Sequence, residues 1–205
     1  MARKITTLLA AWAVATLVFS AGAAPQASPA RASHPRDIAR PSTRTVAPGQ
    51  HDGTHDFDFN VGTWHTHIRS LQHPLTGSPR WVEFDGTVVE QKIYAGAMLE
   101  HIQASGPAGH FEGLTLFLYN PHSHQWSQTY AGRDTGTMES PAIGEFSNGR
   151  GELISQEPYQ GQIVLVRAVW SDITPDSHRF ELDNSYDSGK TWKPNFMARL
   201  TRIKQ

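Results

Sequence analysis

The sequence predicts an all-β fold, an antiparallel up-and-down barrel of about ten strands, that extends from residue 55 to the C-terminus. Short stretches with alternating apolar and polar residues follow one another there without a helical repeat. Clusters of Gly, Pro, Asn and Asp separate the stretches, so the connections are short. Ten strands in chain order would leave two unpaired edges. Closing the sheet removes both edges and leaves an interior with room for one small ligand.

The alternating stretches give the strand order. Asn148-Gly149 is a hairpin signal, and 120–123 and 172–176 are turns of the same kind. A two-sheet sandwich is the alternative, because alternation looks alike in both architectures. The predicted strands lie near residues 57–70, 80–93, 97–104, 110–120, 124–131, 137–147, 150–157, 161–171, 178–187 and 191–203.

The first 54 residues are predicted to lie outside the fold. Residues 1–23 have a basic start, an apolar run over 5–19 and a small-residue cleavage site, which is typical of a secretory signal peptide. The apolar run is too short for a membrane span, which needs about 20 residues. Residues 24–54 are rich in Pro, Ala, Ser and Arg and are predicted to form a disordered leader. The mature protein is therefore expected to be periplasmic or secreted, with no membrane span after cleavage.

Charge and cysteine content exclude several function classes. Six of the 18 basic residues and two of the 19 acidic residues precede residue 55, which leaves a net charge of about −5 on the predicted domain. This charge argues against nucleic acid or an anionic membrane as a partner. The chain has no cysteine, so thiol catalysis and disulfides are excluded.

The segments Phe57–Trp64, Trp81–Gly86, Phe111–Leu114 and Trp170–Asp176 carry a resemblance to known proteins. The Gly-x-Trp of Gly62-Thr63-Trp64 resembles the first-strand signature of lipocalins. The longer pattern, over residues 55–203, is similar to a bacterial family of calycin-like domains of unknown function. The resemblance implies a calycin-like barrel and no particular activity.

In lipocalins the signature Trp closes one barrel end, and a basic side chain from the last strand packs across it. The resemblance places Trp64 in this role, with Arg199 or Arg202 against its ring. We expect Arg202, because it follows the more continuously apolar face of the last strand. That face is predicted to consist of Trp192, Phe196, Ala198 and Leu200.

Two further resemblances concern cofactors and catalysis. Nitrobindin-type calycins hold haem through a histidine near the chain end, and the last predicted strand here contains no histidine, so no haem or other cofactor is expected. Residues 185–192 match the S-x-D-x-G-x-T-W Asp-box of sialidases. A single copy predicts a hairpin built around Asp187 and Gly189, and it does not indicate glycosidase activity.

Eleven histidines raise the question of a metal site. His65 and His67 are two apart on a predicted strand and share a face, but alternation turns both outward if Trp64 faces inward. Spacing supplies no third ligand, although Glu100-His101 or His110 with Glu112 are possible partners. No metal site is therefore predicted.

Three functions remain open. The preferred one is a barrel that binds a small apolar or aromatic ligand, contacted by Trp64, Trp170, Asn184 and Tyr186. The second is an enzyme, such as an isomerase, cyclase or hydrolase, that uses acid–base residues in the same cavity, and a buried carboxyl with a raised pKa would favour it. The third is an interaction module with a filled core. The candidate acid–base residues for the enzyme are Glu83, Glu112, Tyr130, Arg167 and Tyr186. The sequence does not indicate an oligomeric state.

Overall fold

The structure, a computed structural model, describes residues 52–72, 79–159 and 161–204. These residues form ten β-strands preceded by one short 3-10 helix, Asp58–Asn60. No helix among them is long and apolar enough to cross a membrane. The strands are β1 Gly62–Gln72, β2 Arg80–Tyr94, β3 Ala97–Gly106, β4 Gly109–Asn120, β5 Gln125–Gly132, β6 Ala142–Ser147, β7 Arg150–Tyr159, β8 Gln162–Ser171, β9 Ser177–Ser185 and β10 Lys193–Arg202.

The ten strands close into one antiparallel barrel. Each strand pairs with the next along the chain, and β10 pairs with β1 to complete the ring. The predicted up-and-down barrel is therefore confirmed, and the sandwich alternative is excluded. Every described strand therefore has a neighbouring strand on both sides, although β5 and β6 pair over only three residues. The predicted signal peptide and nearly all of the predicted leader, with His34 and His51, lie outside the described residues.

Two predicted strand boundaries are wrong by five residues, and the others lie within two residues of their predicted positions. Residues 57–61 are not a strand, because Asp58–Asn60 turn so that the Phe57 ring enters the barrel end. β6 begins at residue 142 rather than 137, because a turn with Gly136 at φ +62° interrupts pairing, and only an isolated bridge joins Met138 to Ala131. β9 ends at Ser185, where the Asp-box loop begins.

Residues 52–61 form a plug at one end of the barrel. Phe57 is fully buried, and its ring centroid lies 4.8–5.1 Å from those of Phe117, Trp126, Phe146 and Trp170. The Trp126 indole N–H donates to the carbonyl of Gly53 at 2.8 Å. Edge-to-face packing of this kind stabilises aromatic clusters beyond the area that they bury. The plug therefore closes this end of the barrel, and these contacts hold it in place.

The predicted closing interaction is confirmed. Trp64 is fully buried, and the Arg202 guanidinium carbon lies 4.0 Å from its ring centre. Arg202 pairs with Trp64 across β1 and β10, whereas Arg199 is exposed. The Arg202 guanidinium also donates to the carbonyls of Phe59, Val61 and Pro175 at 2.7–2.8 Å. It thereby ties the plug to the last strand.

One residue of the predicted inward face of β10 is misplaced. Ala198 and Leu200 face inward as predicted, but Trp192 lies on the outer surface, under the guanidinium of Arg167 at 4.4 Å. The register shifts between Pro194 and Phe196, so simple alternation fails before Phe196.

The Asp-box residues form the predicted hairpin loop between β9 and β10. Asp187 accepts from the backbone N–H of Thr191 at 2.8 Å, from its hydroxyl at 2.7 Å and from the Ser185 hydroxyl at 2.8 Å. These hydrogen bonds lower the pKa of Asp187 to about 2, and the one donated by the Thr191 hydroxyl has the largest effect. Gly189 takes φ +87°, which favours glycine. The motif is thus accounted for as a turn.

Candidate functional site

The barrel encloses a cavity of about 420 Å³. It reaches the surface beside the loop between β5 and β6, where Arg133, Asp134 and Thr135 are exposed. Apolar side chains from most strands form its wall, which suits an apolar ligand. The apolar lining consists of Val88, Ile102, Phe111, Phe117, Ala142, Val166, Ala168, Trp170, Phe180, Leu182, Phe196, Ala198 and Leu200.

A row of polar residues crosses four adjacent strands on the inner face. Glu90, Glu100, Thr115 and Tyr130 lie directly opposite one another on β2, β3, β4 and β5. Residues opposite each other in an antiparallel sheet project to the same face, so all four side chains point inward. We call them the polar row. Glu100, Thr115 and Tyr130 line the cavity, and Glu90 is buried beyond Glu100.

The polar row begins with two adjacent carboxyl groups, those of Glu90, which is buried, and of Glu100, which is half-buried. The Asn60 side-chain amide donates to Glu90 Oε2 at 3.2 Å, and the Thr115 hydroxyl donates to Glu100 Oε1 at 3.0 Å. Burial raises the pKa of both carboxyls, and the charge of Glu100 raises that of Glu90 further. Two adjacent carboxyls away from water repel each other strongly when both are ionised, so the pair holds at least one proton at neutral pH.

Tyr130 ends the polar row at the cavity mouth. Its ring lies over Gly113, where a Cβ would overlap the Tyr130 ring, so glycine at this position makes room for the ring. Burial and then the neighbouring Glu139 raise the pKa of Tyr130 to about 12. The phenol therefore keeps its proton at neutral pH and can donate a hydrogen bond into the cavity.

A second carboxyl pair lies at the same mouth. Glu139 lines the cavity, and its backbone N–H donates to the carbonyl of Tyr130 at 2.9 Å. Its Oε1 is buried and has no hydrogen-bond partner. Burial, and then the charge of Glu157, raise the pKa of Glu139 to about 8. Burial also raises the pKa of Glu157, although hydrogen bonds from Ser155 and Ser140 oppose it.

The wall formed by β1, β10 and β9 carries two unpartnered polar atoms. Thr66 and His178 flank Leu200 across these strands, and they are 1% and 2% exposed. The Thr66 hydroxyl and His178 Nδ1 are buried without a partner, and both residues line the cavity. Burial, and then the positive charge of Arg202, lower the pKa of His178 to about 4, so its ring is neutral near pH 7.

Of the four predicted ligand-contact residues, one lines the cavity and three do not. Trp170 lines the cavity, whereas Trp64, Asn184 and Tyr186 are not among the lining residues. The Asn184 amide donates to the Tyr186 hydroxyl at 3.1 Å and accepts from the Asn195 amide at 2.7 Å. Both ends of the Asn184 amide therefore have partners within the protein. A role for any of the four in ligand binding stays a prediction.

Of the predicted acid–base residues, Tyr130 lies in the cavity and Glu112 at its mouth. Glu112 accepts from His101 at 2.9 Å and Arg133 at 2.7 Å, and these contacts lower its pKa. Glu83 lies on the outer face, its side chain 62% exposed. Arg167 is also on the outer face and donates to Asp183 at 2.8 Å. Their catalytic roles stay predictions.

His65 and His67 project outward from β1, and both approach the exposed Asp85, at 3.8 Å and 3.0 Å. His110 Nδ1 and the Ser105 hydroxyl form a hydrogen bond at 2.9 Å. Within residues 52–72, 79–159 and 161–204, no three His, Asp or Glu side chains are grouped as metal ligands.

Sequence reasoning missed the main feature of the cavity, its inward carboxyls. A signal was present for two of them. Glu90 is in phase with Val82, Phe84 and Val88 on β2, and Glu100 is in phase with apolar neighbours on β3. A charged residue in phase with an apolar strand face is a candidate for a buried functional group. Glu139 lies outside any strand, and alternation gives no signal for it.

Comparison with known proteins supports the fold and assigns no family. No family model and no curated protein matches the chain. The crystal structure of Rv2717c from M. tuberculosis is similar, with 13% identity, a TM-score of 0.52, and coverage of 78% of this chain and 100% of that chain. A de novo designed fluorescence-activating β-barrel is 14% identical over 75% of this chain and 100% of its own, with a TM-score of 0.40. At this identity the likeness to Rv2717c supports the barrel fold alone.

Proposed function

We propose that the protein binds a small, largely apolar molecule inside its barrel, and that it does so outside the cytoplasm after loss of the signal peptide. The observation that carries this proposal is the cavity of about 420 Å³ with an apolar wall and a few inward polar groups. Ligand sites in proteins typically measure about 300–1,000 Å³ and combine these two features. A barrel with a filled core would leave no such space, so the cavity argues against the third function considered above.

The wall of the cavity favours a ligand with an apolar body. Phe111, Phe117, Phe180 and Phe196 line it together with aliphatic side chains. Burying apolar ligand surface against such a wall is favourable by about 25 cal/mol per Å². Trp170 also lines the wall, so a bound molecule would change the environment of an indole. Tryptophan fluorescence is therefore a direct reporter of occupancy.

The proposal can be tested with one cavity-filling variant and one matched control. Ala198→Phe adds a ring to the inner face of β10, next to Phe180, whereas Arg199→Phe adds the same ring to the exposed outer face one residue later. We expect a panel of terpenoids, aromatics and alkyl compounds to give ligands by native mass spectrometry and fluorescence titration. Ala198→Phe should weaken their binding at least about tenfold, and Arg199→Phe should leave it unchanged.

Circular dichroism must show that both variants retain the wild-type fold. The proposal fails if the folded wild-type protein binds no member of the panel. It also fails if folded Ala198→Phe binds as tightly as the wild type, because the ligand would then lie elsewhere.

A second candidate function is acid–base catalysis in the same cavity. It is favoured by one observation, the raised pKa of Glu139 beside the hydroxyl-bearing Tyr130. A carboxyl whose pKa lies near neutrality can both accept and donate a proton. Under this proposal, any panel member that binds and is converted, as seen by mass spectrometry of the small molecules, should be converted at least about 100-fold more slowly by Glu139→Gln. Binding without conversion of any ligand would reject it.

A further inference from the structure

The charges around the cavity have one predominant sign. Glu100 and Glu139 lie within it, and Glu112 and Asp134 lie at its mouth. Among the described residues that line it, Arg133 is the only Lys or Arg, and its exposed guanidinium is bound to Glu112 at 2.7 Å. The cavity therefore offers carboxyl oxygens with no buried cation to neutralise them.

From this geometry we propose that the cavity binds molecules that join an apolar body to a protonated amine. This inference rests on the proposed binding function and names its ligand class. An ammonium group has hydrogen-bond donors and no acceptor, so it matches a site whose free groups are carboxyl oxygens. Hydrogen bonds between ionised partners are also about twice as strong as neutral ones.

The two inward carboxyls are each backed by another carboxyl. Glu90 lies beside Glu100, and Glu157 beside Glu139. A cation next to Glu100 or Glu139 would favour the ionised form of that carboxyl, which the neighbouring carboxyl otherwise opposes, and would form an ion pair with it. A neutral ligand that only accepts a hydrogen bond from one protonated carboxyl would leave the pair in its protonated state. A ligand carboxylate would place a further acidic group beside the pair, so the cavity should disfavour fatty acids.

An independent observation indicates that a ligand with polar atoms belongs here. The hydroxyl of Thr66 and Nδ1 of His178 are buried, unpartnered, and belong to residues that line the cavity. Buried polar groups are normally hydrogen-bonded, because leaving one unpaired destabilises the fold. β9, which carries His178, lies halfway round the barrel from β4, which carries Thr115 of the polar row. Polar atoms on two facing walls suit a ligand with polar groups inside the cavity.

Three compounds with one skeleton isolate the effect of charge. Octylamine, octanol and octanoate differ only in the head group, which is positive, neutral or negative at neutral pH. We would titrate each into the full mature protein, following tryptophan fluorescence and isothermal calorimetry. We expect octylamine to bind about tenfold or more tightly than octanol, and octanoate to bind most weakly.

Three isosteric substitutions locate the group responsible. Glu139→Gln and Glu100→Gln each remove one inward carboxyl, while Glu83→Gln makes the same change on the exposed outer face of β2. We expect one or both inward variants to lose most of the preference for octylamine over octanol, measured as the ratio of the two affinities. Glu83→Gln should retain the full preference. Octanol affinity also reports whether each variant still folds around an intact cavity.

The outcomes separate this inference from the proposed function. If octanol binds as tightly as octylamine, or octanoate binds best, the amine preference is wrong and the binding barrel stands. If the preference persists in both inward variants, the carboxyls are not its cause and the inference is overturned. If none of the three compounds binds and the wider panel also fails, the proposed function itself falls.

Discussion

Replacing Trp64 by Ala should remove the interaction that closes the barrel. The indole is fully buried, its N–H donates to the carbonyl of Asn60 at 2.7 Å, and its face lies 4.0 Å from the Arg202 guanidinium carbon. The rings of His178 and Trp64 are nearly perpendicular, with ring centres 4.6 Å apart. Deleting a buried large aromatic destabilises a protein by about 3–5 kcal/mol, and lost cation–π contact is worth about 0.5–2 kcal/mol.

The expected loss is large against the stability of a domain of this size, about 5–15 kcal/mol. With a urea dependence near 2 kcal/mol per M, a loss of 3–5 kcal/mol lowers the unfolding midpoint by about 1.5–2.5 M. Urea titration followed by circular dichroism measures this shift. Trp81→Ala is the matched control, because Trp81 also lies near an arginine, Arg69 at 5.3 Å, but on the outer face. Its cost should be about 1 kcal/mol or less.

Arg202→Met separates the two halves of the interaction. Met keeps an apolar stem against the indole but leaves the carbonyls of Phe59, Val61 and Pro175 without their donor. We expect a loss of about 2–4 kcal/mol from these charge-assisted hydrogen bonds. A double-mutant cycle with Trp64→Leu should give a coupling energy of about 0.5–2 kcal/mol. A Trp64→Ala variant that unfolds at the wild-type urea midpoint would refute the reasoning.

Two further changes test the interior. The raised pKa of Glu90 means that its contribution to stability is fully present below its ordinary value of 4.5 and is lost as pH rises through the folded-state value. Glu90→Gln should therefore raise the urea midpoint more at about pH 9 than at about pH 5, and an equal shift at both would contradict the assignment. Gly113→Ala should displace the Tyr130 ring and weaken ligand binding in the fluorescence titration. Gly132→Ala, whose Cβ would lie 3.5 Å from that ring, should not.

The fold could be predicted from the sequence because every strand of the barrel follows the same alternation of inward and outward side chains. Alternation and turn residues placed ten strands, and choosing Arg202 over Arg199 needed only the parity of positions on the last strand. The predicted direction of a side chain was wrong where a β-bulge interrupts the alternation. The bulge between Pro194 and Phe196 sends Trp192 to the outer surface, and no property of the isolated segment shows where an extra residue is accommodated.

The cavity was harder to predict, because its polar groups come together only through strand register. Glu90, Glu100, Thr115 and Tyr130 are spread over 41 residues of chain. They form one row because four successive strands pair with specific offsets. Of these, only Tyr130 was among the predicted acid–base residues, and Glu100 was considered only as a metal ligand. On β2, Glu83 was predicted and Glu90 was not. Side chains alternate between the two faces of a strand, and Glu83 points outward whereas Glu90 points inward.

The closed end of the barrel and the polar row are linked through one residue. Asn60 ends the short helix of the plug, its carbonyl accepts from the Trp64 indole, and its side-chain amide donates to Glu90. Arg202 holds the neighbouring plug carbonyls of Phe59 and Val61. A shift of the plug would therefore move the donor that holds Glu90 in place beside Glu100. Burial has the largest effect on the pKa of Glu100 and raises it, but a hydrogen bond to a carboxylate favours its charged form, so the Asn60 amide, on the same residue that accepts from Trp64, lowers that pKa.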